Sequence, residues 1–318
     1  TQLSKIHAAH SLGASKKLEE VKIASSFESN IEIQLRKITF FLRSRVHEVP
    51  LEDDSSFYLL EVITNSKESL EAMKGTITCI EHDRIDLAYQ KQINLKTGKL
   101  VGLEALLRLR DEDGNIIPND KFIPLIEGES LFSLVVMSSL QKLKKAFELK
   151  NEFNMDGVTI YLNVSAHTAM QDNFTKIFAD FVKDLSLKPG ELGLEITETA
   201  ELEDVKKAGE SFQKLKDIGI PLAIDDFGAG YSSLSYLRDL PVDSVKLDKV
   251  FAKTISEKTT SELIKFVVSV CDTLSLNMLG EGIETDDQKE KFIKIGCPNG
   301  QGYLMHRPEF IEDLKKSL

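Results

Sequence analysis

From residue 85 onward, short apolar runs alternate with longer stretches whose apolar residues recur at helical spacing. The short runs have the length of buried strands, and the longer stretches have the length of amphipathic helices. The segments predicted to be strands are 85–93, 100–109, 158–164, 192–197, 222–225, 244–247, 278–280 and 302–304. The segments predicted to be helices are 122–149, 173–185, 203–218, 232–239, 260–274 and 286–295.

Repeated alternation of strand and helix predicts parallel strands covered by helices, and the number of strands suits a closed α/β barrel. Because residues 95–98 look like a hairpin turn between the first two strands, one strand is predicted to run antiparallel to the others. The predicted fold is a modified (β/α)8 barrel of the TIM type. An open, doubly wound sheet is the alternative, although no Gly-x-Gly-x-x-Gly pattern follows a first strand.

Residues 1–80 have a different pattern. Lys, Glu, Ser, Ile and Leu recur at roughly helical spacing within 17–49, and Pro50 interrupts them. No catalytic constellation occurs in this segment. We therefore predict a small, mainly helical regulatory or dimerisation region at 1–80, followed by the barrel at 81–318.

The composition argues against some classes of function and some cellular locations. The formal net charge of -11 over 318 residues argues against a surface that binds DNA or RNA polymers, because such a surface needs clustered cations. The cysteines Cys79, Cys271 and Cys297 lack metal-site spacing, which indicates a reducing compartment. No stretch approaches the roughly 20 apolar residues that span a bilayer. A cytoplasmic protein without a membrane segment is predicted.

Polar residues interrupt or end the apolar runs of successive strands. They are Glu104, Asn163, Glu195, Asp225, Asp226, Lys246, Glu281 and Gln301. Taken singly, each is more commonly a helix cap or a buried polar group with a partner. In a barrel, however, the carboxyl ends of the strands meet at one mouth. An all-oxygen ligand set at that mouth suits Mg²⁺ or Mn²⁺ rather than zinc.

Three local patterns sharpen this hypothesis. Asp225 and Asp226 are adjacent, so in a strand one carboxylate faces the axis while the other bends into the following loop; the alternative is a helix cap at Asp226. Glu104 and Arg108 share a strand face, where the acid can bind metal and the guanidinium can reach a phosphate or a base edge. Lys246 either balances charge or holds the attacking water, and both readings stay open.

These residues fall in motifs that together resemble the EAL-domain family of cyclic di-GMP phosphodiesterases. The similarity covers roughly residues 80–310, and the joint occurrence of the motifs is very specific. The matching segments are 104–108 (Glu-Ala-Leu-Leu-Arg), 122–127, 162–165, 195–198, 225–234, 281–285 and 301–304.

The resemblance implies a bacterial second-messenger enzyme that cuts one phosphodiester of cyclic di-GMP and yields linear pGpG. It implies two Mg²⁺ or Mn²⁺ ions per site, which would activate a bridging water. By position, the metal ligands would be Glu104, Asn163, Glu195, Asp225, Asp226 and Glu281, with Asp225 shared between both ions.

The resemblance also assigns the remaining roles. Lys246 would position the water, and Glu281 is the candidate general base. Glu198 would brace the loop at 228–233, which carries on from Asp226 and helps to form a homodimer in the family. The substrate site would include Gln90, Arg108, Glu284 and Gln301.

The sequence departs from the family pattern at two positions. Lys91 stands where proline is usual, and Ala229 stands where threonine is usual between the glycines. Lys91 could alter substrate entry modestly, and Ala229 removes a loop hydroxyl. Two other hypotheses are a catalytically silent cyclic di-GMP receptor that signals through its N-terminal region and an unrelated metal-dependent barrel lyase or hydrolase.

Overall fold

In the computed structural model, the chain is described at residues 75–119, 122–123, 130–171, 173–197, 205–228 and 234–318. The strands are β1 (Ile85–Asn94), β2 (Leu100–Arg110), β3 (Ile116–Ile117), β4 (Thr159–Ser165), β5 (Leu192–Thr197), β6 (Leu222–Phe227), β7 (Ser244–Leu247), β8 (Asn277–Gly280), β9 (Asn299–Gly300) and β10 (Glu309–Phe310). The helices are α1 (Ser130–Glu152), α2 (Ala166–Ala169), α3 (Phe174–Asp184), α4 (Val205–Asp217), α5 (Leu234–Asp239), α6 (Lys249–Thr254), α7 (Lys258–Leu274), α8 (Asp286–Ile295) and α9 (Ile311–Ser317).

Eight of the described strands, β1, β2 and β4–β9, form one closed barrel. The order of all the described strands is β10-β1-β9-β8-β7-β6-β5-β4-β2-β3, and β1 pairs with β2 as well as with β9. The pairings from β2 with β4 to β8 with β9 are parallel, whereas β1 is antiparallel to β9. The predicted barrel with one antiparallel strand is confirmed, and the open doubly wound sheet is wrong.

Residues Asp86–Arg108 and Ser139–Leu318 belong to one compact unit, which carries most of the barrel strands. A second unit includes the described residues of 75–85 and 109–138. Within that second unit, Leu109 pairs with Ile117, and the thiol of Cys79 donates to the carbonyl of Arg110. Apart from a helical stretch that is described from residue 75 onward, the predicted N-terminal region lies outside the described residues.

Alternation along the parallel strands separates apolar from polar side chains. Ile160 on β4 and Leu194 on β5 are fully buried, while Asn163 and Glu195 have the opposite parity and point to the other face. Burial on both faces of a strand is expected where helices cover the outside of a barrel and side chains fill the inside. The strand pattern therefore places the polar residues inside the barrel.

Helix α3 illustrates how the outer layer is built. Its buried residues Phe174, Ile177, Phe178 and Phe181 follow the three- and four-residue spacing of one helix face. The rings of Phe174 and Phe178 lie 4.5 Å apart between centroids. Fully burying one such side chain stabilises the fold by about 2–3 kcal/mol.

One predicted strand is wrong. Residues 302–304 form a turn, and the last barrel strand is β9, slightly earlier in the chain. The carbonyl of Gly302 accepts from the backbone N–H groups of Met305 and His306. A Cβ at Gly302 would lie 2.1 Å from the carbonyl oxygen of Ile283, so this glycine permits a close backbone crossing.

Helices α2 and α6 were not predicted from the sequence. They have 4 and 6 residues, so neither contains enough turns for an apolar period to show. Among the described helices, none is both long and apolar enough to cross a membrane.

Candidate active site

Lys246 lies among carboxylates at the carboxyl ends of the barrel strands, with 2% of its side chain exposed. Its Nζ lies 2.5 Å from Glu195 Oε2, 2.9 Å from Asp225 Oδ1, 2.9 Å from Glu281 Oε1 and 3.5 Å from Glu104 Oε2. One ammonium group thus faces four carboxylates, of which it can balance one. The remaining negative charge makes the cluster a site for cations.

Two side-chain amides orient the carboxylate of Glu104. Asn163 Nδ2 donates to Glu104 Oε1 at 2.8 Å, and Gln301 Nε2 donates to Glu104 Oε2 at 2.6 Å. The same Gln301 nitrogen lies 2.8 Å from Glu281 Oε1. The polar residues predicted at the ends of seven different strands, β2 and β4–β9, therefore meet at one place.

A β-bulge brings the adjacent aspartates to one cluster. The register of β6 against β7 shifts between Ile224 and Phe227, and Asp226 has a φ of 52°. Such a left-handed residue is uncommon outside glycine, and backbone strain of this kind collects at functional sites. Carboxylate oxygens of Asp225, Asp226 and Glu281 lie within 4.8 Å of one another.

The pKa values reflect this crowding. Burial lowers the pKa of Lys246, but the surrounding carboxylates more than offset that effect and hold its pKa well above the ordinary value. Burial raises the pKa of Glu195 well above its ordinary value, and the charge of Glu104 adds to that shift. Lys246 therefore stays protonated in a site where carboxylates are reluctant to ionise.

The pKa values of the other acids of the cluster are shifted in different directions. Burial raises the pKa of Glu281 to about 8 despite Lys246. Partial removal from water and the charge of Asp225 raise the pKa of Asp226 to about 7. Burial also favours the neutral form of Glu104, but Lys246 and two amide donors prevail, so the pKa of Glu104 lies below its ordinary value.

The residues fit divalent metal ions. Two groups of carboxylates have oxygens within 4.8 Å of one another, and Asp225 belongs to both groups. Among the described side chains, Gln301 Oε1 is a buried oxygen that accepts no hydrogen bond, and Asp225 Oδ1 has the ammonium group of Lys246 at 2.9 Å. A buried oxygen without a donor, beside carboxylates in excess of the one lysine, is the environment that Mg²⁺ and Mn²⁺ occupy.

The predicted substrate residues Gln90 and Arg108 have different contacts. Gln90 is buried, and its Nε2 donates to the carbonyl of His306 at 3.0 Å. Arg108 is half-buried, its Nη1 donates to the carbonyl of Leu107 at 2.8 Å, and the charge of Glu104 acts on it. Burial lowers the pKa of Arg108.

Two predicted residues are not brought into the cluster by the described contacts. Glu284 is exposed just before α8, where its backbone N–H donates to Gln288 Oε1. Glu198 and the loop residues 229–233 lie outside the described residues. The roles predicted for Glu284 and Glu198 stay predictions.

Lys91 lies on the face of β1 opposite to Gln90. Its Nζ donates to the carbonyl of Ser317 at 2.6 Å, and its backbone N–H donates to His306 Nδ1 at 3.3 Å. A proline at this position would lack that backbone donor. Lys91 thus joins β1 to α9 and to the segment before β10.

Sequence reasoning missed two polar residues of the site. Gln92, two residues beyond Gln90 on β1, donates through Nε2 to Glu195 Oε1 at 2.9 Å. Asp248, the N-cap of α6, lies close enough to Asp226 to raise its pKa. The period of two along β1 places Gln92 on the same face as Gln90, and that signal could have identified it.

Comparison with known proteins gives consistent matches. The family model described as EAL domain matches residues 71–308. The chain is 30% identical to the cyclic di-GMP phosphodiesterase PdeA of Borreliella burgdorferi over 292 residues, which is 90% of this chain and 43% of that protein. The chain spans less than half the length of the first curated relatives that it matches.

Solved structures match over a similar range. The PaMucR phosphodiesterase, in a complex with c-di-GMP, superimposes with a TM-score of 0.71 at 28% identity, covering 77% of this chain and 99% of that one. An EAL domain protein from Listeria monocytogenes matches with a TM-score of 0.63 at 28% identity, covering 76% of this chain and 94% of that one.

Proposed function

This chain belongs to the EAL domain family, and on that premise we propose that it hydrolyses cyclic di-GMP to linear 5′-pGpG with divalent metal ions. The observation that carries the proposal is the convergence of Glu104, Glu195, Asp225 and Glu281 on the buried Lys246. Degenerate members of the family usually lose acids at the signature or the loop, and this chain retains them.

We propose that two Mg²⁺ or Mn²⁺ ions bind per site. Glu104, Glu195 and Asp225 would hold one ion together with Asn163, and Asp225, Asp226 and Glu281 would hold the other. When bound, such ions stabilise developing negative charge and lower the pKa of water. Asp225, which belongs to both carboxylate groups, is the natural shared ligand.

The protein side chains supply the rest of the chemistry. Lys246 stays protonated and presents its ammonium group where a phosphodiester becomes more negative during attack. Glu281, held by Gln301 and Lys246 at the mouth, is the proposed general base for the attacking water.

Gln90 and Arg108 are the proposed contacts to the dinucleotide. Because Gln90 Nε2 donates to His306, its Oε1 is left to accept from a donor on a guanine edge. Arg108 spends one N–H on Leu107 and retains further donors for a phosphate. Glu284 and Gln301 are proposed to support the same substrate site.

We further propose that residues 1–80 regulate the barrel in the bacterial cytoplasm. A homodimer through the loop after Asp226, braced by Glu198, would link the second carboxylate group to that regulation. These segments include the residues that lie outside the described structure.

The test is product formation from cyclic di-GMP. Purified protein is incubated with Mg²⁺, with Mn²⁺ or with a chelator, and the nucleotides are separated by chromatography. We expect pGpG only with metal, and no pGpG from Glu104→Ala. Calorimetric titration with Mn²⁺ is expected to give two ions per chain.

A second assay separates the enzyme from a receptor. Binding of cyclic di-GMP is measured with Ca²⁺ in place of Mg²⁺, alongside circular dichroism for folding. Folded, metal-loaded protein that binds the dinucleotide and leaves it intact would overturn the proposed enzyme and favour the silent receptor. Cleavage of other phosphodiesters in preference to cyclic di-GMP would favour the unrelated hydrolase.

A further inference from the structure

Gln92 places an amide donor under the most buried carboxylate of the site. Glu195 has no exposed surface, and Gln92 is 3% exposed. The carboxylate of Glu195 is held through both oxygens, because Lys246 contacts Oε2 at 2.5 Å and Gln92 donates to Oε1 at 2.9 Å. Two contacts on different oxygens fix the plane of the carboxylate as well as its position.

The neighbouring strand leaves room for this amide. A Cβ at Gly102 on β2 would lie 2.4 Å from Gln92 Oε1 and 3.3 Å from the carbonyl oxygen of Thr159. Any other residue at position 102 would therefore collide with the amide of Gln92. Because Gly102 has no side chain, the amide of Gln92 can occupy this space while it donates to Glu195.

We propose that Gln92 is a positioning residue that sets the affinity of the site for divalent metal, and that Gly102 serves this role by accommodating its amide. The inference rests on the metal site of the proposed function. Gln92 contacts no reacting atom; it acts through Glu195, which belongs to the carboxylate group of Glu104 and Asp225.

Without the donor from Gln92, Glu195 loses both a stabilising contact and a fixed orientation. A buried carboxylate that loses a hydrogen bond is destabilised in its ionised form, and its oxygen becomes free to rotate away from the position that a cation needs. Groups that orient a metal ligand typically change metal affinity or activity about 10–100-fold when removed. A purely structural Gln92 would instead lower stability and leave metal affinity unchanged.

The first experiment measures metal affinity without substrate. Mn²⁺ dissociation constants are determined by electron paramagnetic resonance for the full chain and for Gln92→Leu, with melting of the metal-free proteins as the measure of stability. We expect Mn²⁺ to bind about 10-fold more weakly to Gln92→Leu.

The matched control is Gln213→Leu. Gln213 Nε2 donates to Asp217 Oδ1 at 2.9 Å on the exposed face of α4, so this change removes a bond of the same kind away from the site. We expect Gln213→Leu to bind Mn²⁺ as the unchanged protein does.

A double-mutant cycle tests the role of Gly102. The single variant Gly102→Ala is expected to weaken Mn²⁺ binding as Gln92→Leu does, because the new methyl displaces the amide. In the Gln92→Leu background, Gly102→Ala is expected to add no further loss. Since Gly102→Ala keeps Gln92 itself, it also serves if Gln92→Leu fails to fold.

The outcomes decide the proposal. Unchanged Mn²⁺ affinity in both single variants, additive losses in the double variant, or no Mn²⁺ binding by the unchanged protein would each overturn it. Turnover of cyclic di-GMP is assayed separately. A protein that binds Mn²⁺ but leaves the dinucleotide uncut refutes the proposed enzyme, while the comparison of affinities still decides the role of Gln92.

Discussion

Two buried lysines show opposite kinds of charge balance. Lys246, at the barrel mouth, is 2% exposed and faces four carboxylates. Lys150, near the end of α1, is 3% exposed and has Glu191 as its described carboxylate partner, with Nζ 2.6 Å from Oε1. Glu191 completes its own hydrogen bonding by accepting from the backbone N–H of Lys188 at 2.8 Å.

The difference separates a structural ion pair at Lys150 from a candidate cation-binding site at Lys246. At Lys150 one positive charge meets one negative charge, so the pair needs nothing further. At Lys246 the carboxylates outnumber the ammonium group, and the site reaches charge balance only when cations join it. Burial alone does not separate the two sites; the ratio of carboxylates to lysine does.

The largest expected difference is in catalysis. Glu104→Gln removes a carboxylate from the excess group and is expected to lower turnover of cyclic di-GMP at least about 100-fold. Glu191→Gln removes the partner of Lys150 and is expected to keep turnover within about twofold, because no reacting group contacts it. Initial rates at saturating Mg²⁺ measure both. Equal losses in the two variants would contradict the distinction.

The next difference is in stability and its rescue by metal. Lys150→Met leaves the half-buried Glu191 without its cation and is expected to cost about 1–2 kcal/mol, with or without Mg²⁺. Lys246→Met is expected to cost about 3 kcal/mol in chelator, because four carboxylates then repel one another. Saturating Mg²⁺ should reduce the loss of stability in Lys246→Met and leave the loss in Lys150→Met unchanged. Urea unfolding of each variant, with chelator and with Mg²⁺, makes the measurement.

The smallest expected difference is in how the stability of the metal-free protein depends on pH. The contributions of Glu191 and Glu281 change with pH in opposite directions. Burial favours the neutral form of Glu191, but the hydrogen bond from Lys150 prevails and its pKa lies below the ordinary 4.5. The stability that this pair contributes is present above pH 4.5 and is lost as the pH falls through the lowered pKa. The stability deficit of Glu191→Gln should therefore shrink on acidification.

At Glu281 the sign is opposite. Burial raises its pKa from 4.5 to about 8, so the folded protein holds this proton more tightly than the unfolded chain does. Stability from this group is present below pH 4.5 and is lost as the pH rises toward 8. In chelator, Glu281→Gln should gain stability relative to the unchanged protein between pH 5 and pH 8. A deficit that moves in the same direction as that of Glu191→Gln would refute this assignment.

The barrel and most of its mouth could be predicted from local patterns. The alternation of apolar runs and helical stretches is readable within each segment, and the hairpin turn at 95–98 indicates the antiparallel strand. Residues 302–304 misled because the apolar Tyr303 and Leu304 look like a strand. The close crossing of Gly302 over Ile283 depends on a distant segment and leaves no local signal.

The bulge could not be predicted for the same reason. Adjacent aspartates in a regular strand diverge, and only the register shift of β6 against β7 brings Asp226 back to the cluster. The proposed role of Gln92 depends on its hydrogen bond to Glu195, which lies 103 residues further along the chain. Glu198 and Ala229 lie outside the described residues, and their predicted roles stand untested.

The closing seam of the barrel has a consequence for how the chain is made. Ile93 of β1 pairs with Gly300 of β9, so the barrel strand that is synthesised first pairs with the barrel strand that is synthesised last. On a ribosome, β1 and β2 can form their hairpin early, while the other edge of β1 stays open until residue 300 has emerged. A partner that protects this edge during synthesis would raise the yield of folded protein, and a truncation before β9 would leave an exposed strand edge that templates aggregation.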